Sequence, residues 1–282
     1  MPDPSTADPM TTTSAAPSPA SAPPLNPPFA RVASIRSLAD VERLEARPLA
    51  EALPVQSTYE IFCNAAHAFG DKTALTFLPT ANPDDTPLRW SFNDLLAGIH
   101  QTANLLQTLG VGTQDAVAVL LPGCLEYHLA LWGGEAAGIV QPLNPMLTDE
   151  KIAAMMTLAR AKVLIAWGDE CTEGDAGLWA KALRLRGQVP TLTTVLRVAP
   201  HDEVQGGVQG AAPALAHGVM DFAARTAQPA DHLVSGRRIA ATDIAAYFHT
   251  GGTTGAPKLA RHSHGAQVFT AWGSVQMQGI TP

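Results

Sequence analysis

The sequence predicts an α/β fold of mostly parallel sheets joined by crossover helices, and three observations carry that prediction. Between residues 57 and 198, short apolar runs alternate with longer segments of helical period. Runs such as Ala116-Val117-Ala118-Val119-Leu120-Leu121 are apolar throughout, without the alternation of a half-exposed strand, so both faces of the sheet should be covered. Ser, Thr and Gly stand where helices of this spacing need caps and stops.

Taken in order, residues 31–56 mix charged and small residues with leucines and read as a loosely packed lead-in with helix around Leu38–Glu45. Ser57 or Thr58 can cap a helix to about Ala68, Gly70 stops it, and Thr73–Phe77 comes next as a strand. Ser91 opens the clearest helix, whose Leu95, Leu96, Ile99, Ala103, Leu105, Leu106 and Leu109 recur at spacings of mostly three and four up to Gly110. Strand Ala116–Leu121, helix Leu125–Ala137, strand Ile139–Leu143, a helix from the Thr148 cap to about Ala161 and strand Val163–Trp167 continue the alternation. A helix around Leu178–Leu185 and a strand at Thr191–Val198 extend it. Glycines and prolines interrupt residues 199–238, where loops and a short helix near Met220–Thr226 are expected. Order returns with strand Ile244–His249. Leu259–His262 then reads as the second strand of a hairpin-like turn, with Ser263 capping a helix from His264.

Composition narrows the function classes. The 282 residues suffice for a large core, but residues 1–30 hold nine of the 23 prolines among Ala, Ser and Thr and are expected to be disordered. That stretch has no basic start leading into an apolar run, and no segment offers a membrane-spanning length of apolar residues. A soluble, cytoplasmic protein with no transmembrane segment is expected. The formal charge of −7, with no basic stripe, argues against nucleic acid as a partner. Cys63, Cys124 and Cys171 are widely spaced and form no C-x-x-C pair, so they read as reduced packing cysteines.

The richest chemistry lies in Tyr247-Phe248-His249-Thr250-Gly251-Gly252-Thr253-Thr254-Gly255-Ala256-Pro257-Lys258. Gly251, Gly252 and Gly255 let the backbone approach a ligand and aim successive N–H groups into one concavity. Thr250, Thr253 and Thr254 can donate to phosphate oxygens, and Lys258 adds a mobile positive charge. A nucleoside-triphosphatase loop does not fit. Two residues separate Gly255 from Lys258, no Ser or Thr comes after the lysine, and residues 259–262 read as extended rather than helical. No G-x-G-x-x-G stands at a strand-to-helix junction either, so a dinucleotide fold has no support.

The stretch closely resembles the signature of the adenylate-forming (AMP-dependent) acyl-CoA synthetase/ligase superfamily, and every constrained position of that pattern is met from Tyr247 to Lys258. Leu120-Leu121-Pro122-Gly123-Cys124, Glu135-Ala136-Ala137-Gly138, Gln141-Pro142-Leu143-Asn144-Pro145, Ala161-Lys162-Val163-Leu164-Ile165 and Ser263-His264 resemble blocks of the same family in order and spacing. One departure is visible: Leu259 stands where the family usually has Gly. The resemblance implies that residues 57–282 are the N-terminal part of an adenylate-forming ligase large domain, truncated before the family's adenine, ribose and Mg²⁺ motifs. It implies ATP-dependent activation of a carboxylic acid, of fatty type, through an acyl-adenylate to an acyl-CoA thioester, with ATP, Mg²⁺ and coenzyme A as cofactors. Lys258 would be catalytic, and Thr250, Gly251, Gly252, Thr253, Thr254 and Gly255 would bind phosphate. The alternative is a catalytically silent chain that acts at most as a binding or degenerate module, and silence is the expectation for the 282 residues alone.

Other side chains read more plainly. His249 either faces the ligand or packs. His262 and His264, two apart, would share a face on a strand, but no third metal ligand stands nearby and no metal site is assigned. Trp132, Trp167, Trp272 and Met155-Met156 read as packing residues.

Overall fold

A computed structural model describes residues 34–79, 82–168, 177–200, 218–226, 229–250 and 257–280. The segment 1–30, expected to be disordered, lies outside the described residues, as does Cys171. Two short helices, α1 (Leu38–Glu45) and α2 (Leu49–Ala52), lead in. This lead-in is less loose than its composition suggests, because Leu53 and Val55 just after α2 are buried in a small cluster with Val268. Helix α3 (Thr58–Phe69) and an antiparallel pair, β1 (Thr73–Phe77) with β2 (Leu88–Ser91), come next. Strand β2 has no counterpart in the sequence reading, since its four residues become a strand only by pairing with β1.

The body continues with α4 (Phe92–Thr108), β3 (Ala116–Leu120), α5 (Leu125–Ala137), β4 (Ile139–Pro142), α6 (Asp149–Ala159), β5 (Ala161–Trp167), α7 (Leu178–Gln188) and β6 (Thr194–Val198). It closes with β7 (Val219–Asp221), α8 (Phe222–Thr226), β8 (Ile244–His249), β9 (Leu259–Ser263) and α9 (His264–Gln278). Among the described residues a seven-stranded sheet runs β7-β6-β5-β3-β4-β8-β9, parallel throughout except for β9 against β8. Helices α5, α6 and α7 carry the chain from one parallel strand to the next, since such strands cannot be joined by a tight turn. Two differences from the sequence reading come from tertiary pairing and local backbone. Met220 lies in strand β7, held by β6, and the short helix begins only at Phe222. Helix α6 ends at Ala159, because Arg160 turns left-handed with φ 56°, and β5 therefore starts at Ala161.

Alternation along the buried strands divides the core in two. Val117, Val119, Val163 and Ile165 face a cluster shared with α4 and α5, whereas Ala118, Leu120, Leu164 and Ala166 face α6 and α7. Helices α4 and α5 approach closely at Gly133, where a Cβ would stand 2.6 Å from Thr102 Cβ. Ser91 caps α4 with a capping box, its hydroxyl accepting from the Asp94 N–H at 3.1 Å while Asp94 bonds back to the Ser91 N–H at 2.9 Å. Among the described residues no helix is long and apolar enough to cross a membrane.

Candidate functional site

Strand β8 points the same way as β3, β4 and β5, so the loop after it emerges at the edge of the sheet where those strands also end. Open α/β sheets present their ligand-binding loops there. Strand β9 then runs back antiparallel, pairing Phe248 with Ala260 and His249 with Leu259. One further bond closes the mouth: the Thr250 N–H donates to the Lys258 carbonyl at 3.1 Å, with the Thr250 hydroxyl 3.5 Å from the same oxygen. The structure thus brings two predicted site residues, Thr250 and Lys258, side by side and exposed at the sheet edge. Gly251, Gly252, Thr253, Thr254 and Gly255 lie outside the described residues. The hairpin-like geometry, with Ser263 capping α9 by accepting from the Ala266 N–H at 3.2 Å, is the one expected from sequence.

Leu259 packs its side chain against the cluster beneath α6 and α7, as does Tyr247. Hydrophobic burial therefore fixes the exit of the loop on that face. His249 is half-buried and pairs with Leu259 across the ladder. His262 and His264 do not converge. The exposed His262 ring lies against Phe248, 4.9 Å between centroids, while His264 is fully buried at the start of α9. Among the described residues no group of three His, Cys, Asp or Glu side chains could hold a metal ion. Trp132 tilts against Phe62 at 5.0 Å, a packing contact.

A second set of functional groups was not legible in the sequence. Ser57 takes the cap of α3, accepting from the Glu60 N–H at 3.2 Å, and this frees the Thr58 hydroxyl. Thr58 Oγ1 donates to Glu135 Oε2 at 2.7 Å and lies 3.0 Å from His264 Nδ1. Gln267 Nε2 donates to the other Glu135 oxygen at 2.9 Å. The Arg237 guanidinium donates to the Ala136 and Glu135 carbonyls at 3.1 and 3.3 Å and pairs with Asp243 at 3.5 Å. Glu135 is 1% exposed, and burial pushes its carboxyl up to about 7 against the hydrogen bonds from Thr58 and Gln267. Burial and, after it, the Arg237 charge press His264 down to about 4, opposed by Asp243 and the Glu135 carbonyl. His264 is therefore neutral. A hydroxyl has one proton, so when Thr58 donates to an ionised Glu135 it accepts from His264 Nδ1–H. The sequence marked Glu135 and His264 only as parts of resembling blocks and Glu135 as a lone acid within the apolar run Leu129–Val140; its partners lie in three separate segments.

A family model described as AMP-binding enzyme matches residues 62–281, a span that includes both the sheet and the hairpin. The chain belongs to that family. Among curated relatives it is 29% identical over 239 residues to "Marinolic acid--CoA ligase" of Pseudoalteromonas sp. (strain SANK 73390), covering 84% of this chain and 34% of that protein. It is 26% identical over 254 residues to "Long-chain-fatty-acid--CoA ligase" of Bacillus subtilis (strain 168), covering 82% of this chain and 42% of the relative. The solved acetoacetyl-CoA synthetase from Streptomyces lividans shares the fold with a TM-score of 0.64 at 20% identity, over 78% of this chain and 32% of that one. The chain spans about a third of the length of the first of these relatives. In this member of the AMP-binding enzyme family, then, the Thr250–Lys258 mouth and the Glu135 network occupy opposite ends of the same two strands.

Proposed function

We propose that this chain supplies the phosphate-handling part of an ATP-dependent acid–thiol ligase working in the cytoplasm, with residues 57–282 as part of its adenylate-forming domain. The observation that carries this reading is the exposed Thr250–Lys258 mouth at the strand ends, inside the span matched by the family model. In the first half-reaction a carboxylate oxygen attacks the α-phosphorus of ATP, the bond to pyrophosphate breaks, and an acyl-adenylate forms. In this reading Lys258 and the hydroxyl of Thr250 meet charge growing on the departing pyrophosphate, with Gly251, Gly252, Thr253, Thr254 and Gly255 as the intervening donors. In the second half, the coenzyme A thiol displaces AMP and releases a proton. Mg²⁺ would enter with the nucleotide and neutralise phosphate charge; the mouth, made of a hydroxyl and an ammonium, is suited to the phosphates themselves.

The acid is taken to be fatty. Support comes from α9, the helix after the loop, where Phe269, Trp272 and Met277 line an apolar cleft of about 390 Å³ with Leu44 and Leu49. Exchange of labelled pyrophosphate into ATP by the native protein, measured against short, aromatic and long-chain acids, tests the proposal. Acid-dependent exchange that is fastest with long-chain acids is expected. No exchange with any acid overturns the ligase reading and leaves a silent binding module.

A further inference from the structure

The hairpin that presents Lys258 is joined to the sheet by a short ladder, with Tyr247 and Leu259 packed on the cluster beneath α6 and α7. Strand β8 meets β4 in one ladder pair, Val140 with Ala246, whereas β3 meets β5 in five. The base of the hairpin is tight within itself: the His264 N–H donates to the Asp243 carbonyl at 3.0 Å and the Gly265 N–H to that of Ala241 at 2.9 Å. Only glycine fits at 265, since a Cβ there would stand 2.9 Å from Ala241 Cβ and 3.0 Å from its carbonyl oxygen. Hydrogen bonds tie this base to the rest of the protein through Glu135, beside the burial of Val268 of α9 with Leu53 and Val55. The Glu135 side chain accepts from α3 through Thr58 and from α9 through Gln267, Thr58 hands the connection on to His264, and the Glu135 carbonyl takes Arg237 from the segment before β8.

We propose that Glu135 is a positioning residue for the phosphate loop, and that gain of its proton tightens, and loss of it loosens, the base of the β8–β9 hairpin and so moves Lys258. The part of this that concerns catalysis rests on the ligase reading; the mechanical part does not. Five residues of β9 separate base from mouth, roughly 17 Å of strand. A pivot of about 5° at the base then carries the mouth by about 1.5 Å, and misplacement of about 1 Å can cost a hundredfold in rate. The groups facing Glu135 are Thr58 from α3, His264 and Gln267 from α9, and Arg237 with Asp243 before β8. The buried His100 of α4 is engaged instead by the Tyr59 hydroxyl, at 2.8 Å.

Opening the base to water would let Glu135 ionise at its ordinary value of 4.5 and His264 protonate at 6.5, against about 7 and about 4 when buried. The two demands oppose each other between about pH 4.5 and 6.5, and only that of Glu135 remains just above. Hydrogen exchange of peptides covering residues 259–267, corrected for intrinsic rate, should therefore vary little with pH in the wild type where the two demands overlap. In Glu135→Gln the His264 demand is uncompensated, so protection should rise with pH up to about 6.5, by up to about tenfold per pH unit, and then stay level. Thr58→Val, which cuts the bridge at nearly constant shape, should lower protection there at every pH and serves if Glu135→Gln fails to fold. Identical pH profiles in wild type and Glu135→Gln, or unchanged protection in Thr58→Val, overturn the proposal.

In the pyrophosphate-exchange assay, a positioning role predicts that Glu135→Gln changes the pH profile of kcat/KM for ATP. A merely structural role would lower Tm and leave that profile unmoved. If the wild type exchanges with no acid, the ligase reading fails while hydrogen exchange still decides the positioning.

Discussion

The middle of the sheet and its β8–β9 margin are held by different physics. Strands β3 and β5 are almost wholly apolar, with Val117, Leu120, Leu164 and Ile165 fully buried, and each pairs on both sides. The margin has half-exposed strands, a single ladder pair to β4, and a base where hydrogen bonds to one buried carboxyl add to the burial of Val268. Burial is strong but non-directional, and it secures the middle against unfolding. Hydrogen bonds are individually modest but directional, which suits them to aiming a loop.

Mutations should separate the two. Ile165→Ala, in the middle, is expected to destabilise the fold by about 2–5 kcal/mol, seen as a lower denaturant midpoint. Loss of less than about 1 kcal/mol would mean that the middle is not the stability centre. At the margin, Lys258→Ala should slow pyrophosphate exchange by roughly a hundred- to a thousandfold while leaving thermal unfolding in place, because the side chain is exposed. An equal drop in Tm would erase the distinction.

The pH dependence of stability sharpens the contrast further. Glu135, raised on folding from 4.5 to about 7, favours the fold in its protonated form, so its contribution declines as pH rises between those values. His264, lowered from 6.5 to about 4, favours the fold when neutral, so its contribution declines as pH falls through that window. Each amounts to on the order of 3 kcal/mol, and they offset between about pH 4.5 and 6.5. Glu135→Gln should therefore uncover a loss of stability on the acid side that Glu135 offsets in the wild type, read by denaturant midpoints at about pH 5, 6 and 8. The smallest effect expected is from Ser91→Ala, about 1 kcal/mol, measured by chemical denaturation, since it removes one cap of α4 and touches neither region's distinctive device.

Legibility in the sequence divides along the same line. Helices α4 and α5 and strand β3 were readable because their periodicity, caps and unbroken apolar runs are local properties. The stretch Tyr247–Lys258 was legible as a twelve-residue pattern, and Thr250 and Lys258, which flank the glycines, meet as the hairpin reading requires. Strands β2 and β7, by contrast, are four and three residues long and exist by pairing alone.

By itself, the sequence determined the α/β class, the family and the chemistry that the loop can offer, since hydrophobic period, glycine placement and a run of donors are all written along one stretch of chain. Only the tertiary structure decided that Ser57 and not Thr58 caps α3, that His264 is buried away from His262, and that Glu135 joins α3, α5 and α9. Those outcomes depend on which polar groups, up to 206 residues apart, are left together without water. A buried carboxyl takes the partners that folding brings to it, and no local spacing records which they are.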